Sequence, residues 1–411
     1  MKVFSLCALV SLCTLTAATI YENGRERPTR FIDTKIASLG SNATAWSTYG
    51  PNATELSYKG RWDSQHISWW AAPGLKFAFT GENVAITFGP HTTNTVLVAY
   101  RVAGLDWQLS NITTNATHQF VSPSNPGLNA TLPSQLPLTF ELRVTNWAYG
   151  VQISAVHLAK NEKLIKVPEF SRRIEFIGDS LQSGYGATYE AFSGFGYTVG
   201  AGLGETEFSV TAYPGICLHD ANCWGNPRGQ TYQFFHTSDT SPRALALYNS
   251  TPPLYPFASQ PTPTDLVIIN IGTNDNNTAN PVRGDSYYRS YLSFVPRVHE
   301  TFPDAEIVLM GLWGNFVRQG NTWVQQAKFI DEVERVAREL GEQGFPVSYF
   351  DTKGILQHGD IGPTFHPTDA GHIKVASHLM RYINIKFGWE LKATGPEVQH
   401  ETLYWNDQVN Y

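Results

Sequence analysis

Ser180, Asn274 and His366 each stand at the end of a strand-like apolar run or in the loop that follows one. Together they hold what acyl transfer requires: a hydroxyl to attack a carbonyl, an imidazole to take its proton, and an amide N–H to meet the developing oxyanion. Ser180 sits in "EFIGDSLQSGYGA", Asn274 in "IGTND" and His366 in "GPTFHPTDAGH". Gly215, closing "EFSVTAYPG", is a fourth candidate, as a backbone donor. Ser180 lacks the Gly-x-Ser-x-Gly frame of a nucleophile elbow, because Gln182 stands where the second glycine belongs. Singly, each residue has a plainer reading. A serine after a strand caps a helix, His-Pro opens one, and Asn-Asp makes a turn. Their joint placement at successive strand ends is what favours chemistry.

Such placement needs a parallel sheet, and the second half of the chain is written for one. Apolar runs at 174–177, 266–271, 307–312 and 347–350 alternate with helical stretches. One stretch carries Val324, Ala327, Ile330, Val333, Val336 and Leu340, and another Ile373, Ala376, Leu379, Met380, Ile383 and Phe387. Strands alternating with helices predict a mostly parallel α/β sheet covered on both faces, with its chemistry at the carboxyl ends of the strands. From about Arg30 to Leu158 the period is two instead. Val84, Ile86 and Phe88 share a face, as do Val96, Val98, Tyr100 and Val102, and as do Leu138, Phe140, Leu142 and Val144. That half reads as an antiparallel β-sandwich, with 81–83 as a hairpin turn.

A chain of 411 residues is long for one domain. We expect a signal peptide over 1–18, a sandwich over 28–165, an α/β domain over 169–388 and an extension over 389–411. The first segment has a basic start, a short apolar core and small residues at its end, which predicts export. The apolar run is too short to span a membrane. In an oxidising compartment Cys217 and Cys223 are expected to pair; zinc with His219 is the weaker reading. Seven sequons, at Asn42, Asn52, Asn111, Asn115, Asn129, Asn249 and Asn276, agree with export and predict glycosylation. With 29 basic and 35 acidic side chains, net −6, and no basic cluster, nucleic acid and anionic membranes are not expected partners. Neutral or weakly charged substrates fit better.

The three blocks resemble those of the SGNH or GDSL hydrolases. "GDSLQSGYG" looks like the nucleophile block, "GTND" the block with the oxyanion asparagine, and "HPTDAGH" the block with the histidine, in the family's order. The resemblance implies that Ser180 attacks an ester, that His366 relays its proton, and that the N–H groups of Ser180 and Gly215 with the Asn274 side chain hold the oxyanion. It implies the three-layer SGNH sheet and no cofactor or metal. A jelly roll ahead of such a domain, with "YKGRWD" at its start, is similar to carbohydrate esterase family two, whose members deacetylate plant polysaccharides. The expectation is therefore a secreted, monomeric acetylesterase of carbohydrate. A GDSL hydrolase of longer acyl esters and a non-catalytic carbohydrate-binding protein are the alternatives.

One position departs from the family pattern. Pro363 stands three residues before His366, where relatives carry an aspartate. Either Asp360 or Asp351 orients the imidazole, or a backbone carbonyl does and the site is a Ser-His dyad, which the likeness to family two favours. Gln182 stands where relatives often have threonine. Trp224, Trp313 and Trp323 could stack on sugar rings, although tryptophans more often serve packing. His372 reads as a structural hydrogen-bonder and Asp179 as a turn residue. Asp275 is left without a role.

Overall fold

Period-two alternation in the first half puts one apolar face on strands such as Val84–Phe88 and Val96–Val102, and two antiparallel sheets close on the result. The protein is seen here as a computed structural model that describes residues 21–22, 25–26, 31–39, 45–124, 137–362 and 365–392. A five-stranded sheet runs in the order Lys35–Ile36, Thr117–Val121, Val84–Phe88, Ile153–Ala159, Trp46–Tyr49. Against it lie Gln108–Ile112, Val96–Val102, Leu138–Val144 and Ser68–Phe79, the last also paired with Ser57–Trp62 and Leu164–Ile165. Val84, Ile86, Phe88, Val96, Val98, Tyr100, Phe140 and Leu142 fill the space between the sheets. Residues 81–83 do not make a hairpin. Ser68–Phe79 and Val84–Phe88 belong to different sheets, so the turn crosses the sandwich. The same turn residues serve either connection; the pairing partners decide it.

The second half forms a parallel sheet in the order Val347–Phe350, Glu306–Met310, Leu266–Asn270, Arg172–Gly178, Thr206–Ala212. The chain starts at Arg172–Gly178, goes to one side for Thr206–Ala212, then to the other for the rest. This reversal opens a crevice at the carboxyl ends of Arg172–Gly178 and Leu266–Asn270. Side chains alternate between the faces. Ile177, Val267 and Ile269 meet helices Gly284–Thr301 and Ile330–Glu342. Ile174, Phe176 and Ile268 meet Phe195–Leu203 and Asp369–Phe387. The helix expected from Val324 starts only at Ile330; Thr322–Gln325 pairs with Phe316–Gln319 as a hairpin instead. Val324 and Ala327 keep helical spacing, yet Trp323 and Val324 are exposed, so no buried face holds a helix there.

The sandwich sheet that holds Ser68–Phe79 and the parallel sheet that holds Arg172–Gly178 are continuous. Val210 pairs antiparallel with Ala71. Along Ser68–Phe79, Trp69 and Trp70 enter one core of the α/β half and Ala71 and Ala72 the other, while Leu75, Phe77 and Phe79 enter the sandwich core. Buried ion pairs reinforce the seam: Arg61 Nη2 to Glu175 Oε1 at 3.2 Å, and Lys59 Nζ to Glu207 at 2.8 Å. Each charge has its partner, which is the condition for burying it.

Residues 1–31 are a separate unit, in which Tyr21–Glu22 pairs antiparallel with Arg25–Glu26. The expected signal segment 1–18, the sequons at Asn42 and Asn129, and Tyr404 and Trp405 lie outside the described residues. Asn52, Asn111, Asn115 and Asn249 are exposed. Of the extension, Lys392 N donates to Leu203 O at 3.0 Å and the Arg172 guanidinium lies over the Trp389 ring, so its first residues pack on the α/β half. No helix among the described residues is long and apolar enough to cross a membrane.

Candidate active site

Ser180 comes two residues after the strand Arg172–Gly178, at the crevice. Its Oγ lies 2.8 Å from His366 Nε2, a hydrogen bond across 186 positions of sequence. The turn that presents Ser180 is fixed locally: Leu181 N donates to Asp179 Oδ1 at 3.0 Å, and Tyr185 N to Ser180 O at 3.1 Å. Burial pushes the Asp179 carboxyl up to about 7. Burial outweighs the backbone bonds that this carboxyl accepts, from Leu181 among others.

Asn274 opens a short turn after Leu266–Asn270. Its Nδ2 donates one hydrogen to Ile216 O at 3.0 Å, which fixes the amide and leaves the second N–H for the cleft. Gly215 follows Thr206–Ala212 with φ +80°, and a Cβ there would lie 2.9 Å from Trp224 Cβ. Only glycine fits that backbone. Asn226 Nδ2 bonds Pro214 O and Cys223 O, at 3.1 and 3.2 Å, and Cys217 is joined to Cys223. The disulfide removes both thiols from any zinc site, and His219 Nδ1 pairs with Ser290 Oγ instead.

Asp275, whose role the sequence leaves open, accepts Leu218 N at 2.8 Å and His219 N at 2.9 Å. It ties the disulfide loop to the asparagine turn. Burial raises this carboxyl to about 7 against those two bonds.

Ser180, Gly215, Asn274 and His366 line one cleft of about 720 Å³. Trp224, Trp313, Tyr185, Phe365 and Asn276 share its walls. Trp224 and Phe365 are 68% and 65% exposed, whereas Trp313 is almost fully buried and shows the cleft little of its ring. Trp323 is not a wall residue; it stacks on His358, with ring centroids 4.5 Å apart. Tyr185 packs on the His366 ring at 4.8 Å. Sequence reasoning missed Tyr185 and Phe365, although both lie inside the quoted blocks.

Neither aspartate proposed to orient His366 does so. Asp360 gives its carboxylate to Lys374 Nζ at 2.7 and 2.8 Å and to Gln357 N at 2.7 Å. Burial opposes its charge, but the Lys374 and Gln357 bonds hold it below the usual carboxylate range. Asp351 is exposed and accepts Lys353 N. Both carboxylates are taken by other donors: a helix brings Lys374 to Asp360, and the local turn brings Lys353 N to Asp351. Pro363 and Thr364 lie outside the described residues. His372 Nδ1 accepts Phe195 N at 3.2 Å and thereby closes a helix end; burial lowers its pKa to about 4, so it stays neutral there.

Residues 176–373 match the profile of the GDSL-like Lipase/Acylhydrolase family. The matched segment lies in the α/β half and takes in Ser180, Gly215, Asn274 and His366. Over 355 aligned residues the chain is 24% identical to the cellulase/esterase CelE of Acetivibrio thermocellus, covering 81% of this chain and 40% of that protein. The chain thus spans less than half the length of this relative. A family two carbohydrate esterase from Clostridium thermocellum in complex with cellohexaose superimposes with TM-score 0.64 and 20% identity, covering 81% of this chain and 99% of that one. A family two carbohydrate esterase from Cellvibrio japonicus gives TM-score 0.66 at 16% identity, with 84% and 99% covered. The α/β half and the sandwich before it therefore share the two-part fold of those esterases.

Proposed function

We propose that this chain is a secreted serine esterase that removes O-acetyl groups from a plant cell-wall polysaccharide. The observation that carries the reading is the 2.8 Å hydrogen bond between Ser180 Oγ and His366 Nε2 inside a cleft walled by exposed aromatic rings. Ser180 Oγ attacks the acetyl carbonyl as His366 Nε2 takes its proton. The oxyanion is met by the N–H groups of Ser180 and Gly215 and the second N–H of Asn274. His366 then returns the proton to the departing sugar oxygen, and water cleaves the acetyl-enzyme by the same steps in reverse order. With Asp360 and Asp351 committed elsewhere, the dyad is the form we carry forward.

The substrate class rests on the likeness to family two esterases and on Trp224 and Phe365, whose flat apolar faces suit pyranose rings. Export and glycan attachment belong to the same reading, supported by the N-terminal segment and the exposed sequons, and a monomeric state is proposed with them. The deciding experiment measures acetate release from acetylated xylan, glucomannan and pectin by the wild type and by Ser180→Ala. Loss of release in the variant, with an unchanged circular dichroism spectrum, is expected; release at a wild-type rate would sink the assignment.

The volume of the cleft and its mainly apolar walls favour a second reading, an esterase of longer acyl groups. A series of model esters separates the two, since a deacetylase loses kcat/KM steeply beyond short chains. Binding of polysaccharide without any hydrolysis, and no labelling by a serine-directed phosphonate, would instead mark a non-catalytic binding protein.

A further inference from the structure

The loop that leaves the sandwich strand Leu138–Val144 reaches the candidate active site from the opposite half of the molecule. Trp147, on that loop, packs on two tyrosines at once. Its ring lies 5.9 Å from Tyr185 and 5.1 Å from Tyr213, the latter edge-on at 87°. Tyr185 packs in turn on the His366 imidazole at 4.8 Å, and Tyr213 stands two residues before Gly215. One indole therefore touches the neighbours of both the imidazole and a proposed oxyanion donor.

The loop itself is held from both halves. Thr145 N and Oγ1 donate to Leu97 O in the sandwich, at 3.2 and 3.0 Å. Phe192 N, in the segment after Ser180, donates to Thr145 O at 3.3 Å, and Asn146 Nδ2 donates to the Glu190 carboxylate. Asn146 Oδ1 accepts Ala148 N and Tyr149 N, which fixes the turn around Trp147. A side chain on a loop so tied has little freedom, so it can transmit the position of the sandwich to the residues it touches.

We propose that Trp147 is a positioning residue for the esterase site, setting the His366 ring through Tyr185 and the Gly215 turn through Tyr213, so that the sandwich completes the active site. This inference rests on the reading of Ser180 and His366 given above. A shift of about 1 Å in a reacting group can cost on the order of 100-fold in rate, so a brace of this kind acts on kcat before it acts on binding.

Trp107 supplies the control. It is also a half-buried sandwich tryptophan facing the α/β half, but its ring meets Phe192 at 5.0 Å and the Arg101 guanidinium at 4.4 Å, away from the cleft. In the full-length protein, Trp147→Ala should lower kcat for a small acetyl ester by about 10- to 100-fold with KM within about twofold. Inactivation by a serine-directed phosphonate, which reads the attack step alone, should slow in parallel. Trp147→Phe should restore most of the rate. Trp107→Ala should lower the melting temperature comparably and leave kcat in place. Equal kcat losses in Trp147→Ala and Trp107→Ala, or a Trp147→Ala effect confined to KM, would overturn the inference. If Trp147→Ala does not fold, Trp147→Phe and Trp147→Leu decide it: kcat should fall further in Leu than in Phe, and equal rates would count against the brace. Ser180→Ala keeps the two levels apart. An active Ser180→Ala removes the reading of the site, whereas an inactive one beside an unaffected Trp147→Ala removes only the brace.

Discussion

The two walls of the cleft are built differently. On the oxyanion wall, Asn274 is tied to Ile216, Asp275 to Leu218 and His219, Asn226 to Pro214 and Cys223, and Cys217 to Cys223. Each tie joins one strand-end loop to itself or to the next. On the histidine wall, Gly362 N donates to His366 O at 2.7 Å and Thr368 N to Asp360 O at 2.8 Å, while Phe365 is open to solvent with φ +62°. Here the His366 ring meets Ser180 Oγ and the Tyr185 ring among its contacts. The difference follows from the two tasks. Donors aimed at a developing charge help only if they are in place beforehand. An imidazole that carries a proton from Oγ to a leaving group has to serve two oxygens in turn.

If this contrast holds, cutting a tie on the oxyanion wall should be the costlier change. Asp275→Ala frees the N–H groups of Leu218 and His219 and is expected to lower kcat for a small acetyl ester by about 100-fold, near the loss of one oxyanion donor. Steady-state kinetics with little change in KM would support the contrast; a change below about threefold would erase it. Trp224→Ala, on the same wall but facing solvent, should leave the small ester alone and raise KM for acetylated polysaccharide by about 5- to 10-fold, the equivalent of one stacked ring.

On the other wall, Asp360→Asn removes a charge from Lys374 but touches nothing on His366. Its kcat should stay within about twofold of wild type, against the drop on the order of 10⁴ that follows loss of the orienting aspartate in a triad. A large loss here would reinstate Asp360 as the orienting group.

A separate readout, on stability and not on rate, is a pH dependence. Asp179 has a folded pKa of about 7 against an ordinary 3.8. A raised carboxyl binds its proton in the folded state where the unfolded chain has lost it. Its contribution to stability is therefore full below about pH 4 and declines as the pH rises toward 7. Denaturation of wild type and Asp179→Asn across that window should show the difference between them moving against the wild type by up to about 1.4 kcal/mol per pH unit. A constant difference would mean that Asp179 is ionised throughout.

Much of the site could be read from the sequence because strand ends are local. A run such as "LVIINIGTND" contains its strand, its stop and its polar cargo in ten letters, and the parallel sheet then brings such ends to one rim. What could not be read depends on distant partners. Residues 81–83 carry turn chemistry that suits a hairpin or a crossing, and only the sheets of Ser68–Phe79 and Val84–Phe88 distinguish the two. Val324 fits a helical period by coincidence, because Gly320 at φ +61° turns the chain into a hairpin whose strands have no core to cover. Asp275 and Trp147 act through contacts 56 or more and 38 or more positions away, respectively, which no local pattern announces. Asp360 failed as a candidate although it is only six positions from His366, because Gln357 and the more distant Lys374 hold its carboxylate.

The strand Ser68–Phe79 also limits how this protein can be divided. Among the described residues, the strand that pairs with Thr206–Ala212 on its outer side is Ser68–Phe79, through Val210 and Ala71. A fragment beginning at the α/β half would present a bare strand edge of unpaired backbone groups, ready to accept a strand from any neighbour, the usual start of aggregation. Recombination that shuffles catalytic and accessory modules therefore has no clean seam here, and the two halves should be inherited, expressed and denatured as one.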